Sequence, residues 1–120
     1  MIRLALPFPP SSNNLFSNGA KGQGRYRTAQ YKAWEHLASL HIKDSHRINL
    51  EAYTIAIALN PPDKRARDLD NFVKGISDLL VSHGVVKDDS YCRKLVVVWN
   101  TSMDEECVVV LHPAEEDLAS

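Results

Sequence analysis

The sequence predicts a single α/β (α+β) domain with one mixed β-sheet and two packed helices, in the order β-α-β-α-β-β. Short apolar runs rich in β-branched residues recur between proline, glycine and asparagine residues, as expected for strands. Two intervening stretches repeat apolar residues every three or four positions, as in amphipathic helices. A chain of 120 residues with 44% hydrophobic composition can bury one core, so residues 1–120 are expected to form one domain.

The first half of the chain is expected to contain a strand, a loop, a helix and a second strand. Residues 2–6 form a short apolar run that ends at a proline. Residues 11–27 combine serine, asparagine and glycine with basic residues, which predicts a flexible basic loop. Thr28 can cap the first helix, whose apolar stripe reaches Ile42. Residues 48–59 suit a long strand that two prolines terminate.

A second helix is predicted from Asp68 to Gly84. At 100° per residue, its apolar residues fall on one stripe: Leu69, Phe72, Val73, Ile76, Leu79 and Leu80. Asp70 and Lys74 stand at i and i+4 on the opposite face, where they are expected to be neighbours. Gly84 can adopt the left-handed conformation that closes a helix.

The last part of the chain is predicted to form a hairpin and a tail. Residues 95–99 and 108–111 are continuous apolar runs, as expected for strands covered on both faces or lying in a dimer interface. Residues 100–106 supply the turn between them. Residues 114–120 are expected to form a frayed acidic tail.

Composition and charge narrow the class of protein. The sequence has no apolar stretch long enough to span a bilayer and no secretory signal pattern, so a cytoplasmic location is expected. Cys92 and Cys107 lie at unequal distances from the predicted turn, which favours two reduced thiols. The histidines show no zinc-type spacing. The net charge of −1 excludes DNA binding through a generally basic surface.

Acidic residues on both sides of the second predicted helix indicate a cation site. Asp68 and Asp70 stand near its start, with Asn71 and Lys74 close by, and Asp89 follows its end. Mg²⁺ prefers oxygen ligands and keeps several waters, so two or three carboxylates are enough to hold it against a phosphate. Magnesium-dependent phosphodiester chemistry is therefore the first hypothesis.

Each acid also has a purely structural interpretation. Asp68 could be an ordinary N-cap, and Asp70 with Lys74 a solvated surface ion pair. Asp88 and Asp89 could simply form a turn. Together these interpretations must explain two acidic clusters, one on each side of a single amphipathic helix, and a basic run directly before the first cluster. This combination favours one functional site over separate structural roles.

These residues resemble the RusA family of Holliday-junction resolvases. The resemblance rests on the core Arg67-Asp68-Leu69-Asp70-Asn71, on Lys74, on the later Asp88-Asp89 pair and on the opening Pro7-Phe8-Pro9-Pro10-Ser11. It covers most of the chain in order and spacing. One departure is an extra residue after the opening prolines, so that either Asn13 or Asn14 holds the family's asparagine position.

The resemblance implies a homodimeric, Mg²⁺-dependent endonuclease that cuts four-way DNA junctions by paired symmetric nicks. It implies metal binding and catalysis by Asp68, Asp70 and Asp89, with Lys74 as the catalytic lysine. Asp88 and Asn71 are secondary candidates. Mn²⁺ is expected to substitute for Mg²⁺, no small-molecule cofactor is expected, and a bacterial or phage origin is implied.

Two basic clusters are the expected contacts to DNA phosphates. They consist of Lys21, Arg25 and Arg27 in the predicted loop and Lys64, Arg65 and Arg67 ahead of the first acids. Two other functions remain open: a non-catalytic junction-binding module and a Mg²⁺-dependent nucleotide phosphohydrolase.

Overall fold

The computed structural model describes residues 1–19 and 24–114 and confirms the α+β class with one mixed sheet and two packed helices. The predicted tail lies, from residue 115 onward, outside the described residues. The helices are α1 (Ala29–Ser39) and α2 (Lys74–Ser82). The strands are β1 (Ile2–Leu6), β2 (Phe16–Asn18), β3 (Arg25–Arg27), β4 (Tyr53–Leu59), β5 (Cys92–Trp99) and β6 (Cys107–Pro113).

The main sheet has the strand order β1-β6-β4-β5. β4 pairs in parallel with β5 and antiparallel with β6, which in turn pairs antiparallel with β1. Alternate residues of β4, including Ile55, Ile57 and Leu59, are buried, because this side of the strand faces the core. The opposite side of β4 is more exposed.

The predicted hairpin between the last two strands is wrong. β4 lies between β5 and β6, and the connection after β5 crosses the end of β4. There the Asn100 N–H donates to the Leu59 carbonyl at 2.8 Å, and the Asn60 N–H donates to the Glu106 carbonyl at 2.9 Å. The cause is the β4-α2-β5 crossover, which brings β5 parallel to β4 on the edge of the sheet.

The two cysteines, Cys92 and Cys107, are both free thiols, as the sequence predicts.

Two other predicted segments differ in detail. Residues 11–27, expected to form a loop, contain a 3₁₀ turn at Ser12–Asn14 and the hairpin of β2 with β3. The strand expected over residues 48–59 begins only at Tyr53. Asn49 has a positive φ of 49°, which interrupts extended backbone ahead of the strand.

α2 begins at Lys74, six residues after the predicted start, and a 3₁₀ turn at Leu69–Phe72 precedes it. The difference has a tertiary cause: Phe72 is buried in the core and holds these residues in a tighter turn. The predicted helix end is confirmed at Gly84, which has a φ of 72°.

The packing of α2 fixes its position relative to the opening segment of the chain. Ile76, Leu79 and Leu80 are fully buried. A Cβ atom at Gly75 would lie 3.3 Å from Leu15 Cδ2, so the absence of a side chain there permits a close approach.

Within the described residues, no helix is long and apolar enough to cross a membrane.

Candidate active site

The first acidic turn, residues 68–72, connects the segment after β4 to α2. Asp68 has extended backbone, and its side chain makes no capping hydrogen bond. Asp70 is exposed in the first turn. Buried Phe72 anchors the turn, and Ser12 Oγ donates a hydrogen bond to the Asn71 carbonyl at 3.1 Å. The backbone is thereby fixed while both aspartates remain at the surface.

The second acidic turn, residues 88–91, connects the segment after α2 to β5. Asp88 accepts hydrogen bonds from the Ser90 hydroxyl and, at 3.1 Å, from the Ser90 N–H. These bonds favour the charged form and lower the pKa of Asp88. Asp88 thus has the structural role of a turn residue, while Asp89 is exposed and has no such partner in the described part of the chain.

Lys74 lies at the start of α2, between the two acidic turns. Its Nζ is 3.0 Å from Asp78 Oδ1. The hydrogen bond and charge of Asp78 raise the pKa of Lys74, with a smaller contribution from Asp89.

The expected i, i+4 pair of Asp70 with Lys74 is wrong. That spacing brings side chains together only within an α-helix, and Asp70 precedes α2 in a 3₁₀ turn. Lys74 instead pairs with Asp78, one helical turn in the opposite direction.

Asp68, Asp70 and Asp89 are chemically suited to a hard divalent cation. Among the residues that the structure describes, none of these three carboxylates forms an ion pair or accepts a side-chain hydrogen bond, so their oxygens are free for a cation. The described ranges also contain no group of three His, Cys, Asp or Glu side chains arranged to hold a metal ion. The donor types fit Mg²⁺, and any cation held here must take its remaining ligands from water and substrate.

Arg67 differs from the other predicted DNA-binding residues in the described ranges because its side chain is largely buried and held by several bonds. Its Nη1 lies 2.8 Å from Asp63 Oδ1 and also donates to the Asp63 and Arg65 carbonyls. The side chain is only 12% exposed. Bonds from Arg67 and the Arg65 N–H lower the pKa of Asp63 to about 2. Arg67 therefore closes the loop ahead of the first acidic turn, while the Arg65 side chain is 78% exposed.

The remaining basic residues lie on two separate segments. Arg25 and Arg27 are exposed on the β2-β3 hairpin, where Arg25 lies over the Phe16 ring at 4.8 Å. Arg27 forms an ion pair with Glu35 of α1. Lys64 is exposed beside Arg65, and Lys21 lies outside the described residues.

Sequence reasoning missed a third basic group, beside the second acidic turn. Lys87 Nζ and the Arg93 guanidinium lie 5.8 and 6.0 Å from the centroid of the Tyr91 ring. The signal in the sequence was their closeness to Asp88 and Asp89. These two basic residues place positive charge directly beside the acids.

Residues 7–14, here called the opening loop, line one cavity together with the first acidic turn. The asparagines that the sequence singled out, Asn13, Asn14 and Asn71, all line it, together with Asp68. Asp70, Asp89 and Lys74 are not part of its lining. The structure thus brings the opening loop next to one of the predicted catalytic acids.

The similarity of this chain to known proteins extends over all of these segments. A family model described as Endodeoxyribonuclease RusA matches residues 7–110, which include the opening loop and both acidic turns. A crossover junction endodeoxyribonuclease RusA of Aquifex aeolicus (strain VF5) is 26% identical over 107 residues, covering 88% of this chain and 82% of the relative. A protein of the same name from Enterobacteria phage HK97 is 32% identical over 105 residues, covering 80% of each chain.

The family match spans nearly the whole described structure, and the phage relative shares about a third of the aligned residues. The chain belongs to the endodeoxyribonuclease RusA family.

Proposed function

We propose that this protein is a Mg²⁺-dependent endodeoxyribonuclease that resolves four-way (Holliday) DNA junctions by paired symmetric nicks. The observation that carries the proposal is the family match over residues 7–110, which contains both acidic turns and Lys74. Both relatives are named crossover junction endodeoxyribonucleases. DNA recombination and repair are the processes that such an activity serves.

The proposed metal ligands are Asp68, Asp70 and Asp89, with Mn²⁺ able to replace Mg²⁺. Their free carboxylates carry negative charge that a divalent cation offsets. When bound, the cation activates water and neutralises charge on the phosphate during in-line displacement. Asp88 is excluded from this set because its carboxylate is held by Ser90.

Lys74 is the proposed stabiliser of the charged transition state. Its ammonium group pairs with Asp78, and the side chain is 54% exposed, so it can turn toward a bound phosphate. The pairing favours the charged form, because Asp78 raises the pKa of Lys74. An ammonium held beside the developing negative charge lowers the barrier without a proton transfer.

DNA binding is assigned to the exposed basic residues on two segments, Arg25 with Arg27 and Lys64 with Arg65, and to Lys21. Arg67 acts on DNA indirectly, because it holds the loop that carries Arg65. The sequence has 14 basic and 15 acidic residues, so the net charge gives no general attraction to DNA. Affinity must therefore depend on these local clusters.

A homodimer is proposed with β5 as the contact between subunits. β5 is an edge strand, and Leu95, Val96 and Val98 are 47%, 40% and 46% exposed. Soluble proteins rarely leave a long apolar edge strand uncovered, because its free backbone groups recruit another strand. Antiparallel pairing of β5 with its own copy buries this edge around a twofold axis.

Such a dimer suits the proposed reaction. A twofold axis perpendicular to the joined sheets leaves both helix layers, and hence both sites, on the same side. The second acidic turn directly precedes β5, so antiparallel pairing separates the two sites by roughly the strand length, about 26 Å for eight residues. Two equivalent sites can then act on two equivalent strands.

The relatives come from a bacterium and a phage, and we propose a cytoplasmic location without a small-molecule cofactor.

Replacing Asp70 or Asp89 by asparagine should lower Mg²⁺-dependent junction cleavage by orders of magnitude while junction binding persists. The substitution keeps side-chain size but removes the ligand charge. The measurement is nicking of a labelled junction, with linear duplex and EDTA as controls. Asp104→Asn, at an exposed acid between β5 and β6, should cut normally. Wild-type rates in both site variants would refute the assignment, and hydrolysis of free nucleotides instead of junctions would support the phosphohydrolase alternative.

Lys74→Ala should reduce turnover roughly 10²- to 10³-fold, in line with the loss of one oxyanion-type donor, with little change in affinity. Single-turnover cleavage and binding titrations on the same junction separate the two effects. Lys43→Ala, at an exposed lysine between α1 and β4, is the matched control. A loss confined to affinity would make Lys74 a phosphate-positioning residue.

Neutralising either basic cluster should weaken junction binding and reduce its salt dependence by about one unit of slope for each phosphate that is no longer neutralised. The variants are Arg25→Gln with Arg27→Gln, and Lys64→Gln with Arg65→Gln. Binding is titrated against salt on junction and on duplex, with Lys43→Gln as control. Equal affinity for both DNAs and unchanged slopes would contradict a junction-specific surface.

Val96→Glu should convert the dimer to a monomer, because a charge placed in the apolar β5 edge would be desolvated on pairing. Light scattering gives the mass, and circular dichroism confirms the fold. Leu37→Glu, at a residue that is 53% exposed on α1, should leave the mass unchanged. A monomeric wild type, or a fully dimeric Val96→Glu protein, would rule out this interface.

A further inference from the structure

A cavity of about 760 Å³ lies between the opening loop and the first acidic turn. Phe8 is half-buried and contributes apolar surface from the opening loop, whereas Pro9, Pro10 and Phe72 also line the cavity but are buried. Asp68, one of the proposed metal ligands, also lines it. The cavity therefore adjoins the proposed metal site at Asp68. Its volume leaves room for a part of the substrate beyond the scissile phosphate.

Amide side chains form four of the eight polar residues that line this cavity. Asn13, Asn14, Gln30 and Asn71 all contribute to it. Asn14 Nδ2 donates to Ser11 Oγ at 3.1 Å, whereas the other three amides have no side-chain hydrogen-bond partner in the described ranges. An amide carries both a donor and an acceptor, the combination that the edge of a nucleobase presents.

Hydrogen bonds next to the cavity join the segments that line it. Ser12 Oγ donates to the Asn71 carbonyl, which ties the opening loop to the first acidic turn. Thr28 Oγ1 donates to the Asn14 carbonyl at 2.6 Å, and Trp34 Nε1 donates to the Pro7 carbonyl at 2.9 Å. The walls therefore come from three parts of the chain that are bonded together.

We infer that this cavity receives one unstacked nucleobase from the nucleotide next to the scissile phosphate, and that Asn13, Gln30 and Asn71 read its hydrogen-bonding edge. This inference rests on the proposed function. A cavity lined by amides, with one partly exposed aromatic ring at Phe8, suits a base removed from its stack. Bases at a branch point have lost a neighbour, so the cost of unstacking them is lower than inside a duplex.

A basic residue in the cavity lining supports a nucleotide rather than an apolar ligand. Arg65 belongs to the lining and is largely exposed, whereas Arg67, which also lines the cavity, is bonded to Asp63. A base held beside Phe8 would leave its phosphate near Arg65 and Asp68. Base identity would then affect the position of the phosphate, and so the site of cutting.

The test uses junctions that carry 2-aminopurine, whose fluorescence rises when it leaves the base stack. The wild type first maps the cut, and Asp70→Asn then provides a cleavage-silent background. We expect a several-fold rise on binding when the probe flanks the cut and no rise when it lies within an arm. Adding Asn13→Ala with Gln30→Ala should abolish most of that rise, whereas adding Asn18→Ala, at an exposed amide outside the cavity, should not.

Cleavage mapping provides a second measurement. On a junction with a mobile branch point, the Asn13→Ala, Gln30→Ala enzyme should spread its cuts more evenly over positions than the wild type does. A missing fluorescence rise at every branch position, or a rise that the cavity substitutions leave unchanged, would overturn the inference. Free 2-aminopurine mononucleotide that binds as tightly as the junction, measured by its fluorescence anisotropy, would assign the cavity to a nucleotide substrate and would overturn the inference as well. Failure of the wild type to cut, with the fluorescence pattern intact, would count against the proposed function alone.

Discussion

The packing of α2 on the sheet is the interaction on which the candidate site depends. Ile76, Leu79 and Leu80 are fully buried, and Gly75 lets the helix lie against Leu15 of the opening segment. Each end of this helix leads into an acidic turn. The separation of the turns is therefore set by the length and position of one buried helix rather than by contacts between the acids.

The acids of the two turns have different partners. Lys74 is placed at the start of α2, where it interacts with Asp78 and responds to Asp89. Asp88 and Asp63, in contrast, are stabilised as anions by hydrogen bonds to Ser90 and Arg67. The acids thus divide into two that hold loops in shape and three whose oxygens are free for a cation.

The basic and the apolar surface residues lie on different segments of the chain. Basic residues are concentrated on the hairpin and ahead of the first acidic turn, so a chain with a net charge of −1 still offers local sites for phosphate. The exposed apolar residues of β5 lie on the edge strand of the sheet. In the proposed function, the basic segments would contact DNA and β5 would contact a second copy of the chain.

The sequence by itself determined the fold class, the main elements, the end of α2 at Gly84 and the family, because each depends on local chemistry: apolar periodicity, capping residues and motif spacing. It could not determine the place of β4 between β5 and β6, since strand order is a choice among partners distant along the chain. Tertiary contacts alone decided that Phe72 holds a 3₁₀ turn, which moved Asp70 off the helix and gave Lys74 to Asp78. They also engaged Arg67 with Asp63 and enclosed the amide-lined cavity. A sequence pattern specifies which groups are present, but which of them remain free for a substrate is set by the neighbours that folding brings to them.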